Sequence, residues 1–121
     1  MSQRVLVADD SGVMRTIIIR SLNTIGVTDI VQASDGVDAI EKFGEGTFDI
    51  VLTDWNMPNK TGLDVLKAIR EQGSDVPVIM ITTENEKGRV LEAIQAGVTD
   101  YLAKPFDADR LREKLEKYAA V

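Results

Sequence analysis

Neither cysteine nor histidine occurs anywhere in the chain. Without cysteine there is no disulfide framework and no thiol chemistry. Without histidine there is no Ser-His-Asp triad and no His-ligated zinc site. Any bound metal must therefore rest on oxygen ligands, which selects a hard cation such as Mg²⁺, Mn²⁺ or Ca²⁺. Long apolar runs are missing as well: none approaches the ~20 residues needed to span a bilayer. The opening "MSQRVLVADD" does not read as a signal peptide, because its short apolar run stops at two acids. A basic surplus is also absent. Lys and Arg number 14 against 20 Asp and Glu, a net charge of −6, which argues against nucleic acid as a direct partner. There is no P-loop. No GxGxxG follows the first apolar run, where "ADDSGVM" stands, so a dinucleotide domain is disfavoured, and a flavin is too, because the acids would repel its phosphate unless a cation intervened.

What remains is the composition of a globular protein, 44% hydrophobic and 28% charged. The 121 residues read as one domain over 1–121, with no linker, repeat or output domain. A cytoplasmic setting is the default for such a chain. The charge is uneven. Residues 1–86 carry 7 basic and 14 acidic side chains, net −7, and residues 87–121 carry 7 basic and 6 acidic, net +1.

Short apolar runs alternate with amphipathic stretches. Strands are predicted at 4–8, 29–33, 48–53, 76–82 and 100–103. Ser11 is a good N-cap for a helix reaching Ile25, with Met14, Ile18 and Leu22 at a spacing of four. A second helix is predicted from Gly36 to Glu45, with Val37, Ile40 and Phe43 inward. Thr61 and Asp64 resemble a capping box for a third, Gly62 to Glu71, which turns Leu63, Leu66 and Ile69 to the sheet. A fourth runs from Lys87 to Ala96, with Gly97 suited to its C′ position. A fifth starts after Asp107 and reaches Ala119, burying Leu111, Leu115 and Tyr118. This βαβαβαβαβα order argues for an α/β fold, a doubly wound five-stranded parallel sheet covered on both faces.

Ligand sites in such sheets lie at the carboxyl ends of the strands. Asp9 and Asp10 end the first strand, Asp54 the third and Thr82 the fourth, and Lys104 follows the fifth. If the first and third strands are neighbours, three carboxylates crowd together, and like charges at that range raise each other's pKa or demand a cation. Mg²⁺ fits, retaining several waters in its shell. Each residue alone has a plainer reading: Asp10 or Ser11 as a helix cap, and Thr82 and Lys104 as loop. Their joint placement on one edge favours a site.

These residues resemble the receiver domain of two-component response regulators. The resemblance covers 4–118 and rests on "VADDS", "DWNMP", "VIMITTE" and "AGVTDYLAKPF". Trp55 and Asn56 point to the single-domain chemotaxis class. It implies a flavodoxin-like (βα)5 fold with strand order 2-1-3-4-5. It implies that Asp54 accepts a phosphoryl group from a phosphohistidine on a sensor kinase. It implies further that Asp9, Asp10, Asp54 and the backbone carbonyl of Asn56 hold Mg²⁺, with Mn²⁺ as a substitute. Lys104 and Thr82 would meet the phosphoryl oxygens, and the Lys104–Pro105 bond would be cis. Thr82 would then be drawn inward and Tyr101 would follow, remodelling a partner face that includes Lys87, Val90, Lys114 and Lys117. For these lysines a solvated helix face is the plainer reading, and for Tyr101 a partly buried aromatic.

Asn56, Thr83 and Glu84 stand where the family tunes loss of the phosphoryl group. Thr83 departs from a commoner Ala or Gly, and Thr61 from a commoner Asp or Asn. The expected function is a switch that is not itself an enzyme and acts as a monomer. Its partners would be a kinase, a downstream protein such as the flagellar motor switch and a phosphatase. A relay to a histidine phosphotransfer protein remains open. So do a small Mg²⁺-dependent phosphatase, which Asn56 in place of a general acid disfavours, and a receiver that works without phosphorylation.

Overall fold

A computed structural model describes residues 3–83 and 88–118. Its elements alternate along the chain: β1 (Arg4–Ala8), α1 (Gly12–Thr24), β2 (Asp29–Ala33), α2 (Gly36–Gly44), β3 (Ile50–Asp54), α3 (Gly62–Glu71), β4 (Val78–Thr82), α4 (Val90–Gln95), β5 (Asp100–Ala103) and α5 (Ala108–Tyr118). The strands form one parallel sheet in the order β2-β1-β3-β4-β5. This is the doubly wound α/β arrangement that the alternation of elements implied.

Successive strand residues point to opposite faces, and this sorts the core into two layers. Val5, Val7, Ile50, Leu52, Ile79, Ile81 and Leu102 pack against Ile18 and Leu22 of α1 and Leu111 and Leu115 of α5. Leu6, Ala8, Val51, Val78 and Met80 face Ala39 and Phe43 of α2, Val65, Leu66 and Ile69 of α3, and Ala93 of α4. The central strands β3 and β4 are buried along their whole length. Each fully buried Leu or Ile contributes about 1.5–3 kcal/mol, so the middle of the sheet is the rigid part.

Caps set the helix starts. Ser11 accepts from the Met14 amide at 3.2 Å. The Thr61 hydroxyl accepts from the Asp64 amide at 3.2 Å while Asp64 accepts from the Thr61 amide at 2.9 Å, a complete capping box. Gly97 ends α4 with φ +91°, a conformation open to glycine at little cost.

Several boundaries differ from the sequence reading, for identifiable reasons. β3 begins at Ile50, not at 48. The Asp49 carboxylate takes the Arg4 amide (2.7 Å), and Phe48 leaves the ladder to stack on Phe43 with centroids 5.9 Å apart. β4 begins at Val78, not at 76, because Arg70 donates to the Val76 carbonyl (2.8 Å) and Pro77 has no N–H. α4 spans only Val90–Gln95; the expected start at Lys87 lies outside the described residues, as does Ala119. Val37, expected inward, is 39% exposed, since Gly36, Ala39 and Phe43 form the buried stripe of α2. Tyr118 is half-buried because its hydroxyl leaves the core to reach Asp100.

Gly62 marks a close backbone approach behind the carboxyl edge. A Cβ there would overlap the Asp54 carbonyl oxygen and lie 2.9 Å from Met80 Sδ. In an open helix Gly→Ala gains up to ~1 kcal/mol. Here we expect Gly62→Ala to lower the unfolding free energy by about 3 kcal/mol in a urea titration; a gain would show that the loop yields freely.

Candidate metal centre at the carboxyl edge of the sheet

Register and pleat bring the acids together. Ala8 stands opposite Thr53 in the β1–β3 pairing. One residue further, Asp9 and Asp54 close the two strands. Each continues the side taken by Val7 and Leu52, which faces α1 and α5. Asp10 follows on the turn and is exposed. Ligand oxygens of Asp9, Asp10 and Asp54 all lie within 4.8 Å of one another. At such a distance two unit charges repel by about 3 kcal/mol for an effective dielectric of about 20.

The surroundings offset this only in part. Lys104 Nζ lies 3.2 Å from Asp54 Oδ1 and 3.7 Å from Asp9 Oδ2. The Trp55 amide donates to Asp54 Oδ1 at 3.0 Å, and the Ser11 amide to Asp9 Oδ1 at 2.8 Å. Asp9 is buried, and its Oδ2 accepts no hydrogen bond. Burial pushes the Asp9 carboxyl above its ordinary range and Asp10 adds to the rise, while the Ser11 amide, Lys104 and Arg15 pull it back. A buried carboxylate oxygen without a hydrogen bond, among oxygen donors only, is what a hard divalent cation satisfies. The residues present fit such an ion.

The remaining expected residues surround this cluster or lie apart from it. Thr82 is buried at the end of β4, and its carbonyl accepts from the Lys104 amide at 2.7 Å. The Lys104–Pro105 bond is cis. Asn56 is exposed two residues past Asp54, and Thr83 is half-buried. Glu84 and Lys87 lie outside the described residues. Arg15 was not singled out from the sequence. Its guanidinium donates to the Asp9 carbonyl at 2.6 Å and to Gln32 at 3.1 Å. A cation five residues beyond an acidic pair was the available signal.

The face of α4, β5 and α5 is more structured than a row of solvated lysines. Tyr101 is 41% exposed, Leu91 and Ile94 of α4 are 64% and 55% exposed, and Val90 is half-buried. Lys117 is exposed, its ammonium 5.3 Å from the Tyr118 ring centre. Lys114 is not free: its ammonium is 2.9 Å from Asp100 Oδ2, which also accepts from the Tyr118 hydroxyl at 2.7 Å. Burial tends to raise the Asp100 carboxyl, but the bonds from Tyr118, Lys114 and the Tyr101 amide outweigh it and hold the group below its ordinary range.

Residues 5–116 match the family model described as the response regulator receiver domain. The chain belongs to the response regulator receiver family. It is 44% identical over 116 residues to the chemotaxis protein CheY of Pseudomonas aeruginosa, covering 94% of each chain. It is equally identical to CheY1 of Helicobacter pylori, with 93% and 94% covered. Among solved structures it is similar to Vibrio cholerae CheY4, with a TM-score of 0.90 and 32% identity over 98% of this chain and 99% of that one. The receiver domain of a Pseudomonas aeruginosa sensor histidine kinase is also similar, with a TM-score of 0.87 and 31% identity over 98% of each chain. That structure carries a magnesium ion coordinated in its active-site cleft. This receiver domain therefore combines CheY-like sequence with a carboxylate cluster at the carboxyl edge of its own sheet.

Two outcomes are expected. Asp9→Asn relieves the crowding, so the thermal midpoint of metal-free protein should rise by about 5 °C, while the further rise on adding Mg²⁺ disappears. An unchanged midpoint would mean the acids do not strain the fold. Asp100, with its lowered folded-state pKa, stabilises fully above the ordinary value of about 3.9. That contribution is lost as pH falls through the lower folded value. Asp100→Asn should then cost about 1–2 kcal/mol at pH 7 and almost nothing at a pH of about 2. Urea titrations at the two pH values check this; an equal cost at both contradicts it.

Proposed function

We propose that this receiver domain is a phosphorylation-controlled switch of the chemotaxis type, working in the cytoplasm. Asp54 is its phospho-acceptor. The observation that carries this reading is the Asp54 carboxylate, 6% exposed, flanked by the Asp9 carboxylate and the Lys104 ammonium at the end of a central strand.

Asp54 attacks the phosphorus of a phosphohistidine on a sensor kinase. The O–P bond forms, the N–P bond breaks, and the imidazole leaves and takes up a proton. A small acyl phosphate serves equally, with its carboxylate as leaving group. Lys104, already at 3.2 Å from Asp54, offsets negative charge on the transferring oxygens. The Thr82 hydroxyl donates to one of them. Asp9, Asp10, Asp54 and the Asn56 carbonyl would hold Mg²⁺, or Mn²⁺ in its place. When bound, that ion neutralises charge on the phosphoryl group and aligns it with Asp54. Catalysis in this reading is positioning and charge, and the chain acts only on its own phosphate. Asn56, Thr83 and Glu84 set how fast water removes it.

The phosphoryl oxygens draw Thr82 inward, and Tyr101, exposed in this structure, turns toward the space left behind. The α4–β5–α5 face then changes its fit to a downstream protein, with the flagellar motor switch as the chemotaxis example. A second reading is a relay that passes the phosphoryl group to a histidine phosphotransfer protein. Likeness to a receiver domain borne on a sensor histidine kinase favours it. A stand-alone phosphatase is disfavoured, because Asn56 stands where a general acid would be needed.

Trp55, the only tryptophan, is buried next to Asp54, so its fluorescence reports the site. Acetyl phosphate added with Mg²⁺ should change that signal and add one phosphoryl group by mass. Asp54→Asn should lose both responses while remaining folded. Labelling that persists in the variant would place the acceptor elsewhere.

A further inference from the structure

The loop after β3 carries Trp55 and Asn56 from Asp54 to the start of α3. It is pinned from an unexpected side. Asn59 has φ +70°, a left-handed conformation that is uncommon for a residue other than glycine. Its side-chain amide donates to Asp35 Oδ2 at 2.8 Å. Asp35 belongs to the turn between β2 and α2, 24 residues away in sequence. Its other oxygen, Oδ1, accepts from the Asp38 amide at 2.7 Å as the N-cap of α2. One carboxylate thus starts a helix and holds the neighbouring loop.

A second contact closes the same junction. A Cβ on Gly36 would overlap the Lys60 carbonyl oxygen and crowd Lys60 Cβ. The loop therefore occupies the space that a side chain at position 36 would fill. At its far end the Gly62 amide donates to the Trp55 carbonyl at 2.8 Å, and in its middle the Lys60 amide donates to the Pro58 carbonyl at 2.8 Å. The loop is held at its base, at its middle and, through Asn59, to another element. None of Asp35, Gly36 and Asn59 belongs to the carboxylate cluster.

We infer that Asp35, Asn59 and Gly36 form a clamp that positions the β3–α3 loop, and that through this loop they set divalent-cation affinity at the carboxylate cluster. The inference rests on the proposed metal reading, in which Asn56 supplies a backbone oxygen. These are positioning residues. A ligand borne on a loop binds well only if the loop's backbone is held in place before the ion arrives. The Asn59–Asp35 bond is exposed and adds little to global stability, so its effect should fall on the site and not on the fold. The left-handed Asn59 fits the same view, since local strain of this kind persists where surrounding contacts over-determine it.

Two variants separate the clamp from mere structure. Asn59→Gly removes the donor and suits the positive φ, so the fold loses no backbone fit. Asp35→Ser keeps a capping oxygen for Asp38 and removes the acceptor for Asn59. Mg²⁺ titration of Trp55 fluorescence in full-length protein should show affinity weakened by about tenfold in each. The metal-free thermal midpoint should stay within about 2 °C for Asn59→Gly. The double variant should be no weaker than either single one, because both break one contact. Hydrogen exchange at the Lys60 and Gly62 amides, measured without metal, should speed up in both. Wild-type affinity with unchanged exchange would overturn the clamp, and so would losses that simply add in the double variant. A wild-type protein that gives no Mg²⁺ response at all would instead overturn the metal reading itself, before any variant is compared.

Discussion

Mutual repulsion among Asp9, Asp10 and Asp54 is the constraint around which the carboxyl edge is built. Their ligand oxygens sit within 4.8 Å of one another because two adjacent parallel strands end at the same level and on the same side of the pleat. The backbone cannot relieve this without breaking the β1–β3 register, and the register is locked by apolar residues on both faces. The charge has to be met locally. Lys104 supplies one cation, and Asp9 Oδ2 still lacks a hydrogen bond. A core that does not yield and an edge that is not neutral together make a site that a hard cation fits.

β4 and β5 join this edge to a second surface of the domain. Thr82 ends β4, and its carbonyl is bonded to the Lys104 amide. Three residues before Lys104 in β5 lies Tyr101, open to solvent, as are Leu91 and Ile94 of α4. Asp100 ties β5 to α5 through Lys114 and Tyr118, so the backbone of this face is fixed beside an exposed aromatic. The positive balance of residues 87–121 is not simply a set of free cations, because Lys114 and Lys104 are both paired with carboxylates.

Much of this was legible from the sequence, and the reason is physical. Buried parallel strands show as short apolar runs, and a polar residue directly after such a run lies at the carboxyl edge whatever the loops do. This is why Asp9, Asp54, Thr82 and Lys104 could be grouped before any coordinates, and why the absence of histidine and cysteine restricted the ligand chemistry. The capping box at Thr61 and Asp64 is a local pattern and was equally readable. Contacts joining residues distant in sequence were not. Arg70 reaching the Val76 carbonyl shortened β4, Asp49 closed the Arg4 amide in place of the strand, and Asn59 found Asp35. No periodicity announces such contacts. Val37 is apolar yet exposed, because the buried stripe of α2 runs through Gly36, Ala39 and Phe43, and Gly36 is covered by the Lys60 backbone of another loop.

The most direct test is a crystal of this protein grown with Mn²⁺, examined for anomalous scattering. The account predicts one strong peak bounded by Asp9, Asp10 and Asp54, within about 2.0–2.3 Å of at least two of their oxygens. A well-ordered structure with no peak there, and Asp9 turned away from Asp54, would contradict it.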